Sequence, residues 1–175
     1  MELLKRPVVI NRRYGSLLDR VAYIIATGAG AGFAPIAPGT FGSMEGVGIY
    51  LAIIAIPLAP QTHMAIVMGA GLLLFAVGVW ASNRACKISG LKDPGEIVID
   101  EVSGQLIAIA PLALAPSIAG AVLAFLLFRL FDIFKPYPIR RLEGLPSGLG
   151  VMSDDALAGV YAAALVWLAL RFHLV

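Results

Sequence analysis

The chain has 175 residues, 59% hydrophobic and only 14% charged, with a mean hydropathy of +0.89. A soluble domain carries about 25% charged residues, so this chain has too few to cover a water-facing surface, and its apolar content excludes disorder. The net charge of +2 leaves no electrostatic footprint for nucleic acid.

The chain reads as a single membrane-embedded domain over residues 1–175, opening with a basic segment over residues 1–20. Lys5, Arg6, Arg12 and Arg13 precede no clean apolar run, because Asp19 and Arg20 interrupt it. This is not the pattern of a signal peptide. Residues 21–38 begin apolar and then crowd Gly28, Gly30, Gly32, Pro35 and Pro38. They read as an amphipathic helix lying in the membrane interface, or as a short re-entrant segment.

Apolar runs follow at residues 47–59, 64–81, 102–134 and 156–170. The third is broken by Pro111 and Pro116 and divides into two helices, because proline removes a helix hydrogen bond and clashes with the preceding turn. None of the runs alternates as barrel strands do. The expected fold is therefore all-α: a polytopic bundle of about five membrane-embedded helices. Frequent glycine in the runs suits close helix contact.

Assigning loops alternately to two sides places all thirteen Lys and Arg except Arg171 on one side. The positive-inside rule makes that side cytoplasmic. All eleven Asp and Glu fall there too, so the chain has one chemically rich face. That pattern fits an enzyme working at the cytoplasmic surface. The alternative, a small membrane transporter or channel component, needs polar groups along a path through the membrane, and none is evident. The lone Cys86 forms no intrachain disulfide and reads as a small buried residue. His63 and His173 lie on the outer side, far from the acids, and suggest no His site.

Four polar constellations carry the chemistry. Thr40 and Ser43 lie in PGTFGS ahead of the first apolar run, where either caps a helix or helps bind phosphate. Asp100 and Glu101 are adjacent acids at the mouth of an apolar helix. One acid there suits the helix dipole, but two beside a membrane call for a cation, and Mg2+ prefers carboxylates, water and phosphate. Arg129, Asp132 and Lys135 fall in FRLFDIFKP, with Arg129 and Asp132 on one helix face. Snorkelling of the bases to headgroups competes with a phosphate clamp. Ser153, Asp154 and Asp155 open the last run after a glycine-rich stretch, with Ser153 as a candidate N-cap and both acids within reach of the first pair.

Together, APGTFGS, DPGEIVIDEVSGQ, FRLFDIFKPYPIR and GLGVMSDDALAG, in that order, resemble the phosphatidylglycerophosphatase A family. The resemblance implies a bacterial inner-membrane, Mg2+-dependent lipid phosphatase with its site facing the cytoplasm. Its substrate would be phosphatidylglycerophosphate and its product phosphatidylglycerol. On that reading Asp100, Glu101, Asp132 and Asp155 are catalytic. Thr40, Ser43, Arg129 and Lys135 bind substrate, and Asp100, Glu101, Asp154 and Asp155 hold metal. The nucleophile is either metal-activated water or a carboxylate; the lack of an aspartyl-phosphate motif favours water.

Overall fold

The computed structural model describes residues 16–175. Lys5, Arg6, Arg12 and Arg13 lie outside the described residues. The described chain is all helical, with no strand. Helix α1 spans Leu17–Ala26, α2 Pro38–Ile54, α3 Pro60–Ser89, α4 Ile99–Ile109, α5 Ile118–Phe134, α6 Ile139–Leu142 and α7 Ser147–Arg171. Two of them, α3 and α7, are long and apolar enough to cross a membrane.

Residues 21–38 divide into two elements. Helix α1 opens with a reciprocal capping box between Ser16 and Asp19 and buries Ala22, Tyr23 and Ala26, largely against α3. A 3₁₀ turn over Gly28–Phe33 follows. Gly28 and Gly30 adopt positive φ there, which glycine adopts without steric cost.

The helices run further than the apolar stretches. Residues 82–89, expected as loop, continue α3 until Gly90 takes a left-handed φ of 74° and donates its N–H to the Cys86 carbonyl. No glycine or proline interrupts that stretch, so nothing stops the helix earlier. Helix α2 begins at Pro38, which suits a first helical position. Thr40 and Ser43 therefore lie inside the helix and neither is its cap. Similarly, α7 begins at Ser147, which places Ser153 inside the helix rather than at its N-cap. Glycine-rich residues 146–150 read locally as loop, but packing overrides propensity. A Cβ on Gly148 would stand 2.5 Å from the Val79 carbonyl of α3. The Gly148 N–H donates to Asn83 Oδ1 at 2.8 Å, so α3 supplies the cap that α7 lacks in its own sequence.

The proline-broken run behaves as its sequence dictates. Helix α4 ends at Ile109, a 3₁₀ turn carries Pro111 over Ala110–Leu114, and α5 starts after Ser117, whose hydroxyl accepts from Gly120 N–H at 2.9 Å. Helix α4 rises only roughly 16 Å, yet every residue from Val102 to Ile109 is buried. It sits at the centre, packed by α2, α3, α5 and α7. Two glycine contacts allow this. On α2, Gly39, Gly42 and Gly46 form one face against Glu101, Val98 and Gln105. On α7, a Cβ at Gly159 would strike the Gly104 carbonyl, and one at Gly104 would meet Phe128 and the Asp155 carbonyl.

Gly159→Val should therefore destabilise the protein by about 1–3 kcal/mol through overpacking. Gly69→Ala, facing open space on α3, should be neutral or slightly stabilising. Thermal unfolding in detergent distinguishes them, and equal melting temperatures would contradict the crossing described.

Candidate active site

Helix α4 delivers Asp100 and Glu101 in its first turn, and α7 delivers Asp155 from its third turn. One carboxylate oxygen from each of the three residues lies within 4.8 Å of the others. Asp155 is only 3% exposed. Asp100 Oδ1 and Glu101 Oε2 are buried with no hydrogen-bond partner among the described residues. Buried carboxylate oxygens without donors are costly, and a hard cation satisfies them. An all-oxygen carboxylate donor set suits Mg2+ or a similar hard ion. The residues present thus fit the metal that the sequence suggests.

The neighbouring bases are already matched to acids. Arg129, on α5, holds Asp132 one turn on at 2.7 Å, with Glu101 further off at 3.8 Å. Its Nη1 also lies 3.4 Å from the Ser43 hydroxyl, which donates to the Gly39 carbonyl. Gly39 is a steric requirement here, because a Cβ would overlap Glu101 Oε1 and stand 3.1 Å from Arg129 Nη1. Asp132 repels both Glu101 and Asp155, so it belongs to the same electrostatic unit.

Lys135 caps α5 in a left-handed conformation and donates to Asp154 at 2.6 Å and Glu143 at 2.8 Å. Burial opposes its charge, but those two hydrogen bonds outweigh it and hold the ammonium above its usual range. A raised lysine pKa stabilises the fold below the unfolded value and loses that contribution only as pH rises through the folded one. The Lys135 tie is therefore fully formed at neutral pH.

The structure thus brings Asp100, Glu101 and Asp155 together, with Arg129, Asp132 and Ser43 beside them. Asp154 is turned from that trio toward Lys135, and its Oδ1 is buried with no partner among the described residues. Thr40 sits half-buried in the first turn of α2. Glu143, Asn83 and Gly39 were absent from the expected site. Gly39 was legible as the first of three glycines at helical spacing; Glu143 and Asn83 carry no local signal.

The phosphatidylglycerophosphatase A family model matches residues 24–170. The chain belongs to the phosphatidylglycerophosphatase A family. It is 37% identical over 155 residues to a phosphatidylglycerophosphatase A of Haemophilus influenzae, covering 87% of this chain and 90% of that protein. It is 34% identical over 146 residues to the Escherichia coli phosphatidylglycerophosphatase A, covering 83% and 81%. A Bacteroides thetaiotaomicron relative, 40% identical over 148 residues and covering 82% and 89%, is named provisionally as a phosphatidylinositol-3-phosphatase. No solved structure matches the chain. Membership makes the chain a phosphatase and sets aside the transporter or channel alternative. The family match includes every site residue named above.

Arg129→Lys keeps the charge but loses the planar guanidinium, whose Nη1 meets both Asp132 and Ser43. Phosphatase kcat/KM should fall at least about tenfold with the melting temperature unchanged. Wild-type kinetics in this variant would reduce Arg129 to a headgroup-snorkelling residue.

Proposed function

We propose that this chain hydrolyses the terminal phosphomonoester of phosphatidylglycerophosphate to give phosphatidylglycerol and inorganic phosphate, with Mg2+ as cofactor. The observation that carries the reading is the uncompensated carboxylate trio beside a fixed arginine. Asp132 and Asp154 are each paired with a base, whereas among the described residues the trio's one ion-pair approach is that of Glu101 to Arg129 at 3.8 Å. A surplus of buried negative charge is unfavourable unless a cation binds, and a phosphomonoester bears nearly two negative charges of its own.

In this reading Asp100, Glu101 and Asp155 hold the metal, and Asp154 contributes indirectly by anchoring Lys135. When bound, Mg2+ supplies positive charge to the phosphoryl group as its P–O bond breaks. Arg129 grips the non-bridging oxygens, and Asp132 fixes the guanidinium plane for that contact. Ser43, with its proton committed to the Gly39 carbonyl, keeps the Arg129 fork in place from the α2 side. Thr40 offers a neutral hydroxyl near the start of α2. Water is the nucleophile: its oxygen joins phosphorus, the bridging oxygen departs with the glycerol, and that oxygen takes up a proton. The second carboxylate oxygen of a trio residue, the one not turned to the metal, would take the proton that water gives up.

The site opens to the cytoplasm of a bacterial cell, at the inner membrane. In this reading α2, α3, α4 with its 3₁₀ extension, α5 and α7 lie in the bilayer as about five embedded helices. Helices α2 and α5 rise only roughly 25 Å, which suits a thinned or tilted fit. Helix α4 is shielded by its neighbours and need not span alone. The exposed Leu17, Leu18, Val21 and Ile24 of α1 lie against the membrane interface.

The name of the Bacteroides relative points to a second lipid phosphomonoester, phosphatidylinositol 3-phosphate. Purified protein in detergent should release phosphate from phosphatidylglycerophosphate faster than from that lipid; the reverse order would overturn the substrate assignment. Chelation should abolish turnover and added Mg2+ restore it. Asp155→Asn should remove activity at every Mg2+ concentration. Asp154→Asn should retain the wild-type Mg2+ dependence at lowered turnover, since Asp154 faces Lys135. Equal Mg2+ requirements in the two variants would contradict the division of roles.

A further inference from the structure

Between α2 and α5 lies an open apolar cavity of about 680 Å³. Val47, Leu51 and Ile54 form its α2 wall, and Ala121, Val122 and Phe125 its α5 wall. Both helices lean mainly on other elements, α2 on α4 and α5 on α7, which leaves the space between them. Three features make this more than an unpartnered face. First, it neighbours the site along both helices. Met44 lines the cavity next to Ser43 in sequence, and Phe125 lines it one turn before Arg129. The helices are antiparallel, so both site residues mark the same end of the cavity. Second, its floor holds an orphaned polar atom. Tyr50 is 1% exposed and lines the cavity, and its hydroxyl is buried with no partner among the described residues. Third, Gly48 lines the cavity and faces open space, for a Cβ there would meet nothing within 4 Å.

We infer that this cavity seats one acyl chain of the lipid substrate, with the Tyr50 hydroxyl donating to its ester carbonyl. The inference rests on the lipid phosphomonoester reading above. Tyr50 lies about two turns from Ser43, roughly 10 Å along α2. In a lipid of that kind, a glycerol, a phosphodiester and the glycerol backbone separate the terminal phosphate from the ester. The apolar walls extend past Tyr50 to Ile54, where the chain continues. Burial of methylenes against these walls holds the headgroup in register with Arg129 and the carboxylate trio. A buried hydroxyl without a partner is costly, and an ester carbonyl satisfies it.

The test uses the full chain in mixed micelles, with dioleoyl and dihexanoyl phosphatidylglycerophosphate and the deacylated headgroup as substrates. Gly48→Phe should lower kcat/KM on the dioleoyl lipid about tenfold, mainly through KM, and leave the deacylated headgroup unchanged. Gly69→Phe, which also points into open space but on α3, should alter neither. Tyr50→Phe should raise KM for both diacyl lipids and not for the deacylated headgroup. Equal losses on all substrates, or no loss in Gly48→Phe, would overturn the seat. If the wild type cleaved none of them, the reaction assignment would fall. The cavity would then be judged by phosphatidylglycerophosphate carrying a photoreactive group in one acyl chain. Labelling concentrated on Leu51 and Val122 and lost in Gly48→Phe supports the seat. Labelling spread evenly over the apolar surface removes it.

Discussion

Helix α4 enters the middle of an apolar bundle with two acids on its first turn, and the other elements are arranged around that entry. A helix this short gains little from its own hydrogen bonds and is held by tertiary packing. Its depth is set where Gly104 meets Gly159, since neither position leaves room for a side chain. The same contact puts Asp155 of α7 over Glu101 and Asp100. On the opposite side Gly39, Gly42 and Gly46 let α2 approach until its first turn touches Glu101 and Arg129. Small residues here fix carboxylate positions, because a larger spacing would separate the acids that must act together.

Charge dictates the rest of the site. Carboxylates removed from water are tolerated only when paired, and α5 supplies the pairing from two successive turns: Arg129 to Asp132, and Lys135 to Asp154. Lys135 also reaches Glu143, so it ties the end of α5 to α7 and to the connection between them. At the far edge, Arg84 of α3 pairs with Asp19 of α1 and lies 5.5 Å from the Trp80 ring, which fastens the first helix to the bundle. After these pairs are formed, the trio remains.

Much of this was legible in the sequence for definite physical reasons. Apolar runs and the two prolines marked out α2, α3, α4, α5 and α7 as separate helices, because both act locally. The four polar constellations were visible because acids and bases are rare in so apolar a chain. Three matters were not. Helix ends were misplaced: residues 82–89 are helical although polar, and α7 starts on glycines because α3 packs against Gly148 and caps it with Asn83. The partition of the acids was also hidden. Asp154 and Asp155 are adjacent in sequence but point 100° apart on a helix, so one meets Lys135 and the other the trio. Finally, Glu143 lies in a connection without pattern, and only the fold brings it to Lys135.

The partition bears on how a doubly charged phosphate is admitted at all. Arg129 and Lys135 would form an attractive clamp if both were free, yet each is already balanced by an acid at hydrogen-bond distance. On the proposed reading, substrate attraction therefore comes from the cation at the trio, with Arg129 adding direction rather than net charge. Such a site is repulsive to phosphate when the cation is absent and attractive when it is present, so cation and substrate strengthen each other's binding by the same factor. On the same reading the apolar cavity contributes independently of charge, by holding the lipid near a site that, without its cation, would repel the headgroup.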